Sequence, residues 1–215
     1  MDALREILAE HGLRAAGAFI PDVADGLPDE VQAVIMLAPD EPHFWIVFTS
    51  SPEWTDGHAD PLDSWSARVI GEIAEASGAK PLFPFTDPPF RPFYKWAIKA
   101  GACASPVMLL ADGTAGLFAS FRGALAFDKF VQIATLTAPC STCERRSCLS
   151  SCPVDALNAG GYDTAKCAAY LRSPAGSDCL EMGCRVRRSC HVGSANRPAD
   201  QSAYSLQEFL RCRND

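Results

Sequence analysis

Leu62, Trp65, Val69 and Ile73 fall at i, i+3, i+7 and i+11, the spacing of one face of an amphipathic helix. Asp63 or Ser64 can cap its start, and Gly78 stands just past its end. At the N-terminus Leu4, Ile7 and Leu8 recur with Glu6 and Glu10 among them, which predicts a surface helix. Residues 15–20 are short and apolar enough for a strand. Residues 31–37 (VQAVIML) predict a second strand, ended by Ala38-Pro39-Asp40. The run 44–48 (FWIVF) is apolar throughout, and periodicity does not decide between helix and strand there.

A Pro/Phe-rich link (PLFPFTDPPFRPF) is followed by a short helix over about 94–100. Two strands are then predicted, at 107–110 and 117–121, joined by the turn Ala111-Asp112-Gly113-Thr114; Gly123 and 124–127 continue the pattern. Helices and strands mixed in this way predict an α+β fold for residues 1–130, a sheet covered by helices serving as a cofactor or substrate domain. Residues 131–215 read differently, because nine of the ten cysteines lie there and only Cys103 lies before them.

Composition narrows the class. Apolar residues make up 48% and charged residues 21%, as in soluble globular proteins. The net charge of −7 and pI near 5.1 give no global attraction to nucleic acid or an anionic membrane, so neither is an expected partner. There is no basic segment leading into a long apolar stretch and no run approaching the roughly 18 apolar residues of a membrane span. A cytoplasmic location is expected, and in a reducing compartment cysteines read as metal ligands before disulfides.

Eight cysteines fall between Cys140 and Cys190, opening with Cys140-x2-Cys143-x4-Cys148-x3-Cys152-Pro153. Thiolates this close can wrap one inorganic cluster, and a Cys-Pro ending hands its cysteine to a second. Residues 154–157 can start the short helix that follows such a loop. Cys167, Cys179 and Cys184 come next, with Cys190 after them. With ligands exchanged as in two-cluster ferredoxins, one [4Fe-4S] cluster takes Cys140, Cys143, Cys148 and Cys190. The second takes Cys152, Cys167, Cys179 and Cys184, so all eight are used. A single cluster, with Cys167, Cys179 and Cys184 as buried thiols or ligands of a zinc ion, is the alternative. Arg185, Arg187 and Arg188 either offset cluster charge or form a solvated loop. His191, where a proline usually follows, is an alternative ligand or an exposed histidine. Cys103 and Cys212 fall outside both sets.

The run from Cys140 to Pro153, then Tyr162-Asp163-Thr164-Ala165-Lys166-Cys167-Ala168-Ala169-Tyr170-Leu171 and Gly183-Cys184, resembles the iron–sulfur module of epoxyqueuosine reductases, relatives of the reductive dehalogenases. Residues 105–110 and 116–123 are similar to cobalamin-processing reductases. The resemblance spans roughly 60–192. Arg187 stands where the family has a cysteine, and the chain has no helical-repeat region after the module. The resemblance implies a flavin-reductase-like N-terminal domain and a small C-terminal ferredoxin-like [4Fe-4S] module. It implies two [4Fe-4S] clusters with cobalamin as a candidate cofactor, and an electron donor of the flavodoxin or ferredoxin reductase type. It also implies Asp87 as catalytic acid and Ser105, Arg122 and Gly123 as cofactor-binding residues.

The residues themselves leave both roles open. Asp87 could act as an acid if buried among Phe83, Phe85, Phe90 and Phe93, or it is a turn aspartate. Arg122 could grip a phosphate or carboxylate, or it is a strand-end arginine. Phe44, Trp45, Phe48, Trp54 and Trp65 could face a flat ring or simply form core. His43 and His58 are candidate ligands or acids in polar settings. The two functions expected are an iron–sulfur reductase acting on a substrate and a ferredoxin-type electron carrier or cobalamin-handling protein without turnover.

Overall fold

The structure, a computed structural model, describes residues 2–57, 59–131 and 138–213. Helix α1 (Asp2–Glu10) leads into strand β1 (Leu13–Phe19), then β2 (Ala33–Pro39), helices α2 (His43–Thr49), α3 (Pro52–Thr55) and α4 (Pro61–Ser77), and strand β3 (Lys80–Leu82). Helix α5 (Phe93–Lys99) precedes the two-residue strands β4 (Cys103–Ala104) and β5 (Leu110–Ala111) and the longer β6 (Gly123–Phe127). The cysteine region adds β7 (Leu157–Asn158), β8 (Gly161–Tyr162) and helices α6 (Thr164–Leu171), α7 (Ser177–Met182), α8 (Arg185–Arg188) and α9 (Ala199–Arg211).

The chain divides into two compact units, Met1–Ala102 with Ser120–Thr137, and Cys103–Ala119 with Ala138–Asp215. The first is a four-stranded antiparallel sheet in the order β1-β2-β6-β3 with helices packed on it. Every residue of β2 and β6 is buried, so both faces of the central strands are covered, and their unbroken apolar runs follow from that. The mixture of helices and strands is the one the apolar pattern predicts; that the sheet is antiparallel comes from the structure. The ambiguous run at 44–48 is helical: Phe44, Trp45 and Phe48 share the buried side while Ile46 is 61% exposed. With Trp54 and Trp65 they pack edge to face, ring centroids 5.2–5.9 Å apart, as core.

Gly123 opens β6 where a Cβ would stand 2.8 Å from Ile70 Cδ1 of α4 and 3.0 Å from the Leu82 carbonyl oxygen, so only glycine lets helix and strand approach this closely. Arg122 beside it donates to the Asp63 carboxylate and, at 3.1 Å, to Ser66 Oγ, both on α4. Among the described residues no helix is long and apolar enough to cross a membrane.

The second unit departs from the predicted elements. Residues 107–110 and 117–121 are turns and irregular chain apart from β5, because the Asp112 carboxylate accepts from the Thr114 and Ala115 amides and folds 112–116 into a tight loop. No helix follows Cys152-Pro153. Asp155 takes a positive φ of 52°, and the chain returns as the hairpin β7–β8. One core cluster of this unit gathers Val107, Ala111, Leu117, Cys148, Leu157 and Val186, with further cysteines packed against it.

Candidate functional site

The cysteines reach their places by different local means. Cys148 lies in a single 3-10 turn (Ser147–Leu149) that follows Arg146, whose φ is +44°. Cys152 ends the loop and its sulfur accepts the Ala156 amide at 3.2 Å. Cys167 stands on α6, which the Asp163 side chain caps by accepting from Lys166 N at 2.9 Å. Cys179 stands on α7, Cys184 precedes α8 and Cys190 follows it.

These positions sort the thiols into two sets. Cys140 has Cys103, Cys148 and Cys190 near it, and Cys148 has Cys143 and Cys190. Cys167 has Cys184, Cys152 and Cys179 near it, and Cys179 again has Cys184. For Cys140, Cys148, Cys167 and Cys179 burial is the main reason the thiol resists ionisation, with neighbouring sulfur adding to it. Cys140 is pushed up to about 12 by burial first and then by its hydrogen bond with Cys103. Burial likewise raises Cys148, Cys167 and Cys179.

Opposing the burial, hydrogen-bond donors aim at the sulfurs. The Leu149 amide favours the Cys148 thiolate, and the Arg185 amide favours that of Cys179. Tyr162 Oη–H donates to Cys167 Sγ at 3.3 Å, and burial together with this bond raises the tyrosine's own pKa. Arg187, at the position where a cysteine was expected, donates instead to the Leu117 carbonyl and lies near Cys184. His191 Nδ1 is 3.9 Å from Cys143 Sγ at the exposed edge of the first set.

A cavity of about 240 Å³ is lined by Cys140, Cys143, Cys148, Cys190 and Ser105. Arg145, Arg146 and Arg188 also border it, giving it cationic walls in an acidic chain. Gly116 is part of its packing: a Cβ there would come within 2.7 Å of Cys190 Sγ and 2.2 Å of the Val192 carbonyl oxygen. Among the described residues, no three His, Cys, Asp or Glu side chains converge to hold a single metal ion.

The remaining predicted site residues scatter. Asp87 is exposed, in an irregular stretch beside the cis Pro88-Pro89 bond, so the buried setting that would make it an acid is not met. Ser105 belongs to the cysteine-rich unit, whereas Arg122 and Gly123 belong to the N-terminal one and are engaged with α4 as described above. His43 is exposed, and His58 lies outside the described residues. Cys212 is exposed at the end of α9.

Cys103 was not legible as part of a site. It lies far upstream of Cys140 and in no spacing motif; only the pairing of β4 with β5 brings it to the first set. Comparisons with protein-family models, with curated proteins and with solved structures find no match.

Proposed function

We propose that this protein is an iron–sulfur electron-transfer protein. Cys140, Cys143, Cys148 and Cys190 hold one [4Fe-4S] cluster, and Cys152, Cys167, Cys179 and Cys184 hold a second. The observation that carries this reading is the sorting of the thiols into two groups: Cys190 joins the first from beyond the second, Cys152 leaves the first loop for the second, and Cys103 lies beside Cys140 as a further neighbour of the first. Exchange of that kind is how two-cluster ferredoxins share their ligands.

The donor chemistry supports it. Thiolates gathered around one buried member, Cys148 in the first set and Cys179 in the second, are costly unless metal takes up their charge, and amide N–H groups directed at sulfur lower that cost. A single zinc ion would draw its sulfurs to about 3.8 Å of each other, since each must sit about 2.3 Å from one centre. The cavity of about 240 Å³ that the first set borders leaves room for a core larger than one ion. Bound there, the clusters would supply one-electron storage at two positions. The chain's own residues would hold them, exclude water through Val107, Leu117, Leu157 and Val186, and favour the reduced state through N–H and O–H donors.

On this reading the cysteine-rich unit is a ferredoxin-like module and the N-terminal unit a flavin-reductase-like domain, as in epoxyqueuosine reductases. The electron donor is of the flavodoxin or ferredoxin reductase type. A second reading, a carrier without its own turnover, is favoured by the exposure of Asp87 and by the engagement of Arg122 and Gly123 within the fold. With Asp87 exposed and Arg122 and Gly123 engaged within the fold, these residues do not fit a cobalamin site.

Iron and acid-labile sulfide on anaerobically reconstituted protein test the proposal. About eight of each per chain are expected, against about four for one cluster. Zinc in place of iron would overturn it. An optical titration with hydroxocobalamin separates the two readings: a perturbed corrin spectrum favours the reductase, an unchanged one the carrier.

A further inference from the structure

Ser105 follows β4 and opens a turn that fixes its backbone. Its amide donates to the Leu109 carbonyl at 2.8 Å, and its own carbonyl accepts from the Met108 amide at 2.9 Å. Met108 closes that turn with a φ of +64°. Held this way, Ser105 is 4% exposed and is among the residues that border the cavity, with Cys140, Cys143, Cys148 and Cys190. Its Oγ has no hydrogen-bond partner.

A buried hydroxyl without a partner is disfavoured about as strongly as a broken hydrogen bond, so such atoms point to something they are built to meet. The four thiols around the same cavity are the groups that hold the proposed cluster, and sulfur is all they present. A serine hydroxyl is a single rotatable donor, matched to a thiolate or bridging sulfide. Hydrogen bonds to the sulfurs draw electron density from the cluster and raise its reduction potential.

We infer that the Ser105 hydroxyl donates a hydrogen bond to a sulfur of the [4Fe-4S] cluster held by Cys140, Cys143, Cys148 and Cys190, and tunes that cluster's potential upward. This inference rests on the reading that the first cysteine set carries a cluster. It moves Ser105 from the cofactor pocket expected of an N-terminal domain to the cluster site itself.

The test compares the full-length wild type with Ser105→Ala and Ser105→Thr, each reconstituted anaerobically with iron and sulfide. Iron content is measured together with an EPR-monitored redox titration. Ser105→Ala should keep the wild-type iron content and shift one of the two midpoint potentials to a more negative value, leaving the other in place. Ser105→Thr retains the hydroxyl and should stay close to wild type.

Full iron in Ser105→Ala with both potentials unmoved overturns the inference. Loss of about half the iron in that variant also overturns it, since Ser105 would then be needed to hold the site rather than to tune it. A wild type that takes up no iron sinks the underlying cluster reading, an outcome distinct from either of these.

Discussion

Glu53 and Arg68 face each other across α3 and α4 in a two-pronged pair. Nε donates to Oε1 at 2.5 Å and Nη2 to Oε2 at 3.1 Å. The glutamate side chain is only 14% exposed, and its pKa falls from 4.5 to about 2, chiefly through the hydrogen bonds from Arg68. A carboxyl whose pKa is lower in the folded state binds protons more weakly there than in the unfolded chain. Its contribution is therefore complete above pH 4.5 and is lost as the pH falls toward 2. With the guanidinium 42% exposed to screening solvent, the pair is worth about 1 kcal/mol at neutral pH. Glu53→Gln should cost that amount at pH 7 and flatten the acid limb of stability between those two pH values. Urea unfolding followed by tryptophan emission at several pH values measures both. An unchanged acid limb would show that other carboxyls govern it.

At the scale of elements, the loop 112–116 connects sequence to site most directly. Asp112, fully buried, folds it by accepting two amides, and Gly116 at φ +54° brings its backbone against Cys190 and Val192. Gly116→Ala adds a Cβ that meets the Val192 carbonyl oxygen and the Cys190 sulfur, in a conformation alanine adopts poorly. The variant should lose about half of the wild-type iron, from the first cysteine set, while the second set keeps its own. Equal loss from both would mean the two sets assemble together.

The predicted strands around this loop were not legible as loop, because Val107, Leu117 and Phe118 are apolar for packing rather than for a ladder. The helix α4 was legible because its period of apolar positions, Leu62, Trp65, Val69 and Ile73, persists over about three turns. The run 44–48 was not, since five consecutive apolar residues fit either element until the buried side is known. The close spacing from Cys140 to Cys152 was visible as one local loop, whereas Cys167, Cys179 and Cys184 come from separate short helices and share no local motif. Cys103 was hidden, since only the β4–β5 pairing brings it to the thiols, and Ser105, expected at a cofactor pocket, follows it there.

Across the whole molecule the same segment explains why a boundary near residue 130 does not describe the division. Residues 103–119 bring Val107, Ala111 and Leu117 to the cysteine-rich core, while β6 returns to the N-terminal sheet. The two cores differ in kind. The N-terminal one encloses Phe44, Phe48, Trp65 and Trp96, all nearly inaccessible, and an ordinary apolar core of that sort needs no metal. The cysteine-rich one gathers Val107, Ala111, Leu117, Leu157 and Val186 around Cys148, and on the proposed reading part of its cohesion would come from the clusters the thiols hold. Chelating iron should then unfold the second unit and spare the first. All four tryptophans, Trp45, Trp54, Trp65 and Trp96, lie in the N-terminal unit and report on it alone. After anaerobic treatment with a chelator, the tryptophan-detected unfolding midpoint should move little. The far-UV helical signal from α6, α7, α8 and α9 should fall before any denaturant is added. A large chelator-induced shift of the tryptophan midpoint would mean that the first unit depends on the second for its stability. A helical signal that survives iron removal would mean that the apolar cluster around Leu117 and Val186 suffices without metal.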